Sequence, residues 1–335
     1  MKKGVLIGML LFIALSSGAL AQEVINVGVT GLIPDHGLYI ALEKGYFKEA
    51  GIEVKFNPFA SAAKMMAPLA AGQLHVAGGG ISVGLFNAIA RGMPVKIVSS
   101  RAQTLPGHNG MFWLVRSDLK DAIRTPADLK GRKVANVAPG AVTVYTMGKT
   151  MERAGLSIKD LDLVNMPFPE MVTAFANKAI DAAIISEPFA SAAVVKGVAV
   201  KWLEPSEVIY NPYLELSGLF YNMDWAMKNR DQANKFMVAW IKGIREYVQA
   251  IKGGPNRDEV INILIKHTRV KDRAVYDRMQ WYMINPDGYP IKESIQDQID
   301  WYWKNGFITQ KLSYEQVVDE SFVDYAVKQL GRFKD

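Results

Sequence analysis

The sequence predicts an α/β protein built as two lobes, and three observations carry that expectation. The chain has 335 residues, more than one ordinary hydrophobic core organises. Short β-branched runs alternate with helical segments through residues 24–204, the pattern of a sheet covered by helices. That alternation breaks once, over residues 100–109 (Ser-Arg-Ala-Gln-Thr-Leu-Pro-Gly-His-Asn), and then restarts.

Residues 1–21 read as an export leader: Lys2 and Lys3, an apolar run over 5–15, and Ala19-Leu20-Ala21 at the end. The run is shorter than the ~20 residues that span a bilayer. The mature chain is therefore expected to begin near Gln22, outside the cytoplasmic membrane, with no cysteine to carry a lipid anchor. Residues 24–30 then form a strand, 38–44 a helix closed by Gly45, and 52–56 an alternating strand. Residues 60–71 read as a helix capped by Gly72. Residues 74–77 read as a strand before the turn Gly78-Gly79-Gly80, followed by a helix to Arg91 and a strand over 95–99. This order predicts a mostly parallel sheet.

The second block repeats the scheme. Strands are expected over 111–115, 133–136, 162–166 and 182–186, and helices over 142–154, 170–177 and 188–196. A last strand spans 214–221, after which the chain turns helical. Over 228–251, Phe236, Trp240, Ile244, Tyr247 and Ile251 keep helical apolar spacing. Further helices follow over 291–303 and 314–330. With so little strand, this tail is expected to return to the first lobe.

Composition excludes several functions. The chain is 50% hydrophobic and 21% charged, a globular balance. With no cysteine it has no disulfide, thiolate metal site or thiol nucleophile. Its four histidines, His36, His75, His108 and His267, include no pair at i+3 or i+4, so no metal is expected. The formal charge of +6 falls to +4 without Lys2 and Lys3, since 39 − 2 = 37 stand against 33 acids. The basic residues form no stripe, so nucleic acid is not an expected partner. A dinucleotide fingerprint, a Walker lysine and a Gly-x-Ser-x-Gly elbow are all absent, so neither a cofactor nor catalysis is expected.

What remains is a recurring geometry. Pro34-Asp35-His36-Gly37, Gly78 to Ser82, and Pro139-Gly140-Ala141-Val142-Thr143 each join a strand to a helix start. Ligands of open α/β sheets sit at such carboxyl strand ends, where backbone N–H groups and the helix dipole meet them. Three such turns divided between two lobes point at one crevice. His36 and His108 lie in crevice loops as candidate donors. Glu187 ends the strand 182–186 and is either a ligand-facing carboxylate or a helix-start acid.

The stretch Tyr39-Ile40-Ala41-Leu42-Glu43-Lys44-Gly45-Tyr46-Phe47-Lys48-Glu49-Ala50-Gly51-Ile52-Glu53-Val54 resembles the opening signature of periplasmic substrate-binding proteins of ABC importers. The subgroup is the one for nitrate, sulfonate, taurine and thiamine-pyrimidine precursors. Residues 70–74 (Ala-Ala-Gly-Gln-Leu), 129–135 (Leu-Lys-Gly-Arg-Lys-Val-Ala) and 180–189 (Ile-Asp-Ala-Ala-Ile-Ile-Ser-Glu-Pro-Phe) agree with it in family order. The resemblance implies a type II periplasmic binding fold with two crossovers, near 100–107 and 204–214. Lobe 1 would comprise 22–103 and 206–335, with the helical tail packed on it, and lobe 2 would comprise 104–205. It also implies a ligand site made by His36, Tyr39, Gly80, Ser82, Arg101, Gln103, Thr143, Tyr145, Glu187 and Phe189. The expected ligand is a sulfonate, an organic acid, a pyrimidine or another small aromatic. The expected partner of the monomer is an importer permease in the periplasm. The alternatives are an exported enzyme on the same scaffold and a binding subunit for a membrane sensor. Two positions depart from the family pattern: His75 replaces an Asp, and Lys178 replaces a Gly at ~1 kcal/mol for left-handed backbone. The lineage includes pyrimidine synthases with a cysteine-rich iron motif, which a chain without cysteine cannot be.

Overall fold

A computed structural model describes residues 24–209 and 213–334. The expected export leader lies outside the described residues. Ten strands form two five-stranded sheets. In the first, β1 (Ile25–Val29), β2 (Val54–Pro58), β3 (Val76–Gly80), β4 (Val95–Thr104) and β10 (Leu214–Asn222) are ordered β2-β1-β3-β10-β4. In the second, β5 (Met111–Arg116), β6 (Lys133–Asn136), β7 (Asp162–Asn165), β8 (Ala182–Ser186) and β9 (Ala199–Leu203) are ordered β7-β6-β8-β5-β9. The α/β class and the two-lobed form match expectation. Both sheets are mixed, because β10 runs antiparallel between β3 and β4, and β5 antiparallel between β8 and β9.

The chain passes from the first sheet to the second between β4 and β5 and returns between β9 and β10. Strands β4 and β10, which carry the two passages, are hydrogen-bonded neighbours. Every residue of β10 is buried, so this strand pair forms the spine of the first lobe.

Several local expectations are corrected. The glycine run is not a turn: Gly78, Gly79 and Gly80 belong to β3, paired with Leu219, Gly218 and Ser217. Strand β4 runs on to Thr104, because β10 continues to pair with it through the region read as a break. Over 60–71 a 3-10 turn (Ala62–Met65) precedes a short helix (Met66–Ala70). Strand β9, a half-buried edge, was not anticipated. The last segment is two helices, Tyr314–Val317 and Ser321–Leu330, because Val318 bridges Ile97 and the Asp319 N–H donates to the Ile97 carbonyl at 2.9 Å. Lys178 adopts φ 56°, the left-handed backbone its departure from the family pattern implied.

The tail packs on the first lobe as expected. Its long helix Arg230–Ile251 lies along His36–Glu43 and buries Phe236, Trp240, Ile244 and Tyr247. It also reaches the second lobe, which was not foreseen. On the helix Lys292–Lys304, Trp301 Nε1 donates to Glu152 at 2.8 Å and Tyr302 donates to the Ala141 carbonyl at 3.0 Å.

A buried polar group lies on the spine. Glu215 accepts from Ser100 Oγ at 2.7 Å, Gln103 Nε2 at 2.9 Å and the Ile291 N–H at 2.9 Å. No cation is paired with it among the described residues, and burial raises its pKa to about 7. Between about pH 4.5 and 7 the unfolded chain releases this proton while the folded chain keeps it, so stability falls as pH rises through that window. Glu215→Gln should remove this contribution. Denaturant unfolding of both forms at pH 5 and pH 8 should show the wild type losing ~2–3 kcal/mol relative to the variant. A gap that stays constant would mean that the carboxyl is ionised throughout.

Candidate functional site

The parallel strands of both sheets aim their carboxyl ends at one another, and a cleft with about 940 Å³ of empty space, open at its mouth, lies between them. From the first lobe come Thr30 and Leu32 after β1, Gly80 at the end of β3 with Ile81 and Ser82 after it, Arg101 on β4, and Ser217 on β10. The second lobe supplies Val137 to Thr143 after β6, less Gly140, then Pro167 to Pro169 after β7, Ser186 at the end of β8 and Phe189 beyond it. The helices Val83–Ala90, Val142–Glu152 and Phe168–Ala176 all start at this wall, presenting N–H groups and positive dipole ends. On one side the lobes touch directly: Ser82 bridges Ala141, and the Val83 N–H donates to the Gly140 carbonyl at 2.9 Å.

Arg101 organises the first-lobe wall. Its Nη2 donates to Asp35 Oδ1 at 2.6 Å and to Thr30 Oγ1 at 3.0 Å, with the arginine 2% and the aspartate 0% exposed. The second Asp35 oxygen accepts from Thr30 Oγ1, the Thr30 N–H and the Gly31 N–H, each at 2.9 Å. This fixes the turn after β1. Gly78 makes the arrangement possible, since a Cβ there would stand 2.7 Å from Arg101 Nε. That Nε has no hydrogen-bond partner among the described residues.

Of the ten residues singled out in the sequence, Gly80, Ser82, Arg101, Thr143 and Phe189 lie on the cleft wall and the other five do not. His36 is fully buried, its ring stacked 3.7 Å from that of Tyr247. Burial and then the nearby Arg101 charge push its pKa well below the usual value. Tyr39 stacks on His267 at 4.7 Å and donates to Asp35 at 3.4 Å. Neither side chain lines the cleft: His36 packs on the tail, and Tyr39 lies between His267 of the tail and the buried Asp35. Gln103 is spent on Glu215. Tyr145 bonds Asp297 of the tail and meets Trp301 edge-on. Glu187 accepts from Ser191 Oγ at 2.8 Å, the Ser191 N–H at 2.9 Å and Lys201 Nζ at 3.1 Å, so it serves its own lobe. Its burial raises its pKa against the pull of Lys201. His108 sits in the turn it closes with Leu105, away from the wall.

Sequence reasoning missed Thr30, the segment Ala60 to Ala63, the turn Pro167 to Pro169, Ser217, and two tail residues, Arg269 and Tyr282. The proline turn carried the same strand-to-helix signal as its neighbours. Nothing in the pattern could have brought the tail residues here. Among the described residues, no Asp, Glu, His or Cys lines the cleft.

The model of the NMT1/THI5-like family matches residues 34–250. The chain belongs to that family. A Bacillus subtilis protein named for binding aliphatic sulfonates is 25% identical over 305 residues, covering 87% of this chain and 85% of its own. Among solved structures, the alkanesulfonate-binding protein SsuA of Xanthomonas axonopodis pv. citri, bound to MOPS, superposes with TM-score 0.72 at 18% identity, over 89% of this chain and 99% of its own. The ligand-binding component of an ABC-type import system from Staphylococcus aureus gives 0.75 at 15%, over 91% and 99%. The fold is also that of the desulfurization enzyme DSZB, at 0.63 and 14%, over 92% and 100%. Likenesses at these identities speak for the fold.

The buried pair yields a stability test for this family member. Arg101→Met strands the Asp35 carboxylate without its cation, and unfolding measurements should show a loss of ~3–5 kcal/mol. Asp35→Asn combined with Arg101→Met should recover part of it. If the double variant is less stable than the single by the full cost of a second independent change, the two side chains are not coupled.

Proposed function

We propose that the protein is an extracytoplasmic solute-binding protein that holds a small organic anion between its lobes and delivers it to the permease subunits of an ABC importer. One observation carries the ligand class: the cleft wall is largely apolar and bears the guanidinium of Arg269, with Arg101 already paired to the buried Asp35 and no carboxylate lining the wall among the described residues. An organic sulfonate or carboxylate fits such a wall, its body against Leu32, Val142, Phe168 and Phe189. A cationic amine finds no counter-charge on this wall, because Glu187 is turned to Lys201 and Ser191. The names of the similar sulfonate-binding proteins agree with the anion, and the import-system component agrees with delivery. Among the described residues no carboxylate or histidine lines the wall, which favours capture over catalysis.

The lobes of this reading are 22–103 with 206–335, and 104–205, joined where β4 and β10 run side by side. A bound anion touches both lobes, so it stabilises the closed arrangement selectively. The leader at 1–21 sends the chain to the periplasm, where it works as a monomer without a lipid anchor.

Thermal unfolding with a panel of aryl- and alkanesulfonates, matched carboxylates and matched amines tests the reading. An anion at 100 times its Kd should stabilise the protein by ~2.7 kcal/mol, and the matched amine should not. Glu187→Gln should leave the affinity for that anion unchanged. Stabilisation by amines alone, or turnover of the added compound, would overturn the proposal.

A further inference from the structure

The two guanidinium groups of the cleft are not equivalent. Arg101 is neutralised where it stands, bonded to Asp35 at 2.6 Å inside the protein, so the pair contributes no net charge to the cleft. Arg269 is exposed, has no hydrogen bond or ion pair among the described residues, and lines the same space. Its Nε lies 3.6 Å from the position a Cβ on Gly31 would occupy, beside the turn that Asp35 ties down.

The backbone carrying Arg269 is held from several sides. It belongs to the short connection between the helices Arg257–His267 and Arg273–Arg278. Thr268 is 2% exposed, and its hydroxyl bonds the Tyr276 hydroxyl. Lys271 Nζ donates to the Ile265 and Lys266 carbonyls at 2.7 and 2.9 Å. Asp272 accepts from the Ala274 N–H at 2.9 Å, capping the next helix. Val270 packs against the apolar core of the second lobe. A long, flexible cation is thus presented on an anchored loop that touches both lobes.

We infer that Arg269, supplied by the C-terminal tail, is the specificity-determining residue that pairs with the ligand's anionic group, while Arg101 serves as a neutral, structural part of the wall. This rests on the solute-binding reading above and assigns its charge selection to one side chain. Closing the lobes over the ligand removes water from the Arg269 contact, which strengthens the pairing relative to an exposed ion pair.

The test is a cycle of residue charge against ligand charge. Binding of benzenesulfonate and of neutral benzenesulfonamide is measured by calorimetry for the wild type, Arg269→Gln and Arg269→Lys. Arg269→Gln should weaken the sulfonate about 10- to 100-fold, as expected for losing a charge-assisted hydrogen bond. It should change the sulfonamide little and flatten the salt dependence of sulfonate binding. Arg269→Lys should restore part of the sulfonate affinity. The thermal midpoint of each variant without ligand should match the wild type, since the side chain is exposed and unpartnered. If benzenesulfonate binds the wild type and Arg269→Gln equally, the assignment is overturned while the binding reading stands. Equal losses for sulfonate and sulfonamide would also overturn it, making Arg269 a contact of shape and not of charge. If benzenesulfonate leaves the wild type unbound and only amines bind, the anion reading itself fails.

Discussion

The ion pair between Asp35 and Arg101 is the constraint around which the first lobe is arranged. It ties the turn after β1 to the middle of β4, across 66 positions of sequence. Removing both charges from water is costly, and the geometry repays that cost with bonds from Thr30 and Gly31 to the carboxylate. Several features follow. Strand β3 between them has no side chain at Gly78, because the guanidinium fills that place. The turn after β1 is held rigidly at the cleft, and His36, next in sequence, starts a helix whose side chains face the tail. In the run of glycines expected as a turn, Gly78 is space made for an arginine.

Much of the fold was legible because buried strands bounded by charge announce themselves. Residues 133–136 and 182–186 were read to the residue as what became β6 and β8. The edge strand β9 was not, since half its positions face water and its alternation is short. Strand β4 was truncated at the Ser-Arg-Ala-Gln run. Polar residues usually end a strand, and here they are buried because Asp35 and Glu215 stand ready to bond them.

The site was legible wherever it depends on strand ends. Gly80, Ser82 and Thr143 follow from the rule that such ends gather a ligand, and Arg101 and Phe189 from the family resemblance. His36 and Tyr39 were misplaced because the direction of a side chain on a helix depends on what packs beside it, and that neighbour, Arg230–Ile251, is some 200 residues downstream. Arg269 and Tyr282 had no local signal at all. Their positions arise from how the tail returns.

That return bears on how the lobes can part. Two neighbouring strands make a door hinge, about which a panel can swing freely. The tail adds attachments away from that line, at Trp301 to Glu152, Tyr302 to Ala141 and Asp297 to Lys149. A panel fixed also off its axis cannot swing until the extra fastening gives. Any rotation that widens the cleft on that side must therefore undo these bonds as a set or carry the helix Lys292–Lys304 along with it. The molecule is then closer to a latched box than to a free hinge, and the latch is built from a helix of the returning tail.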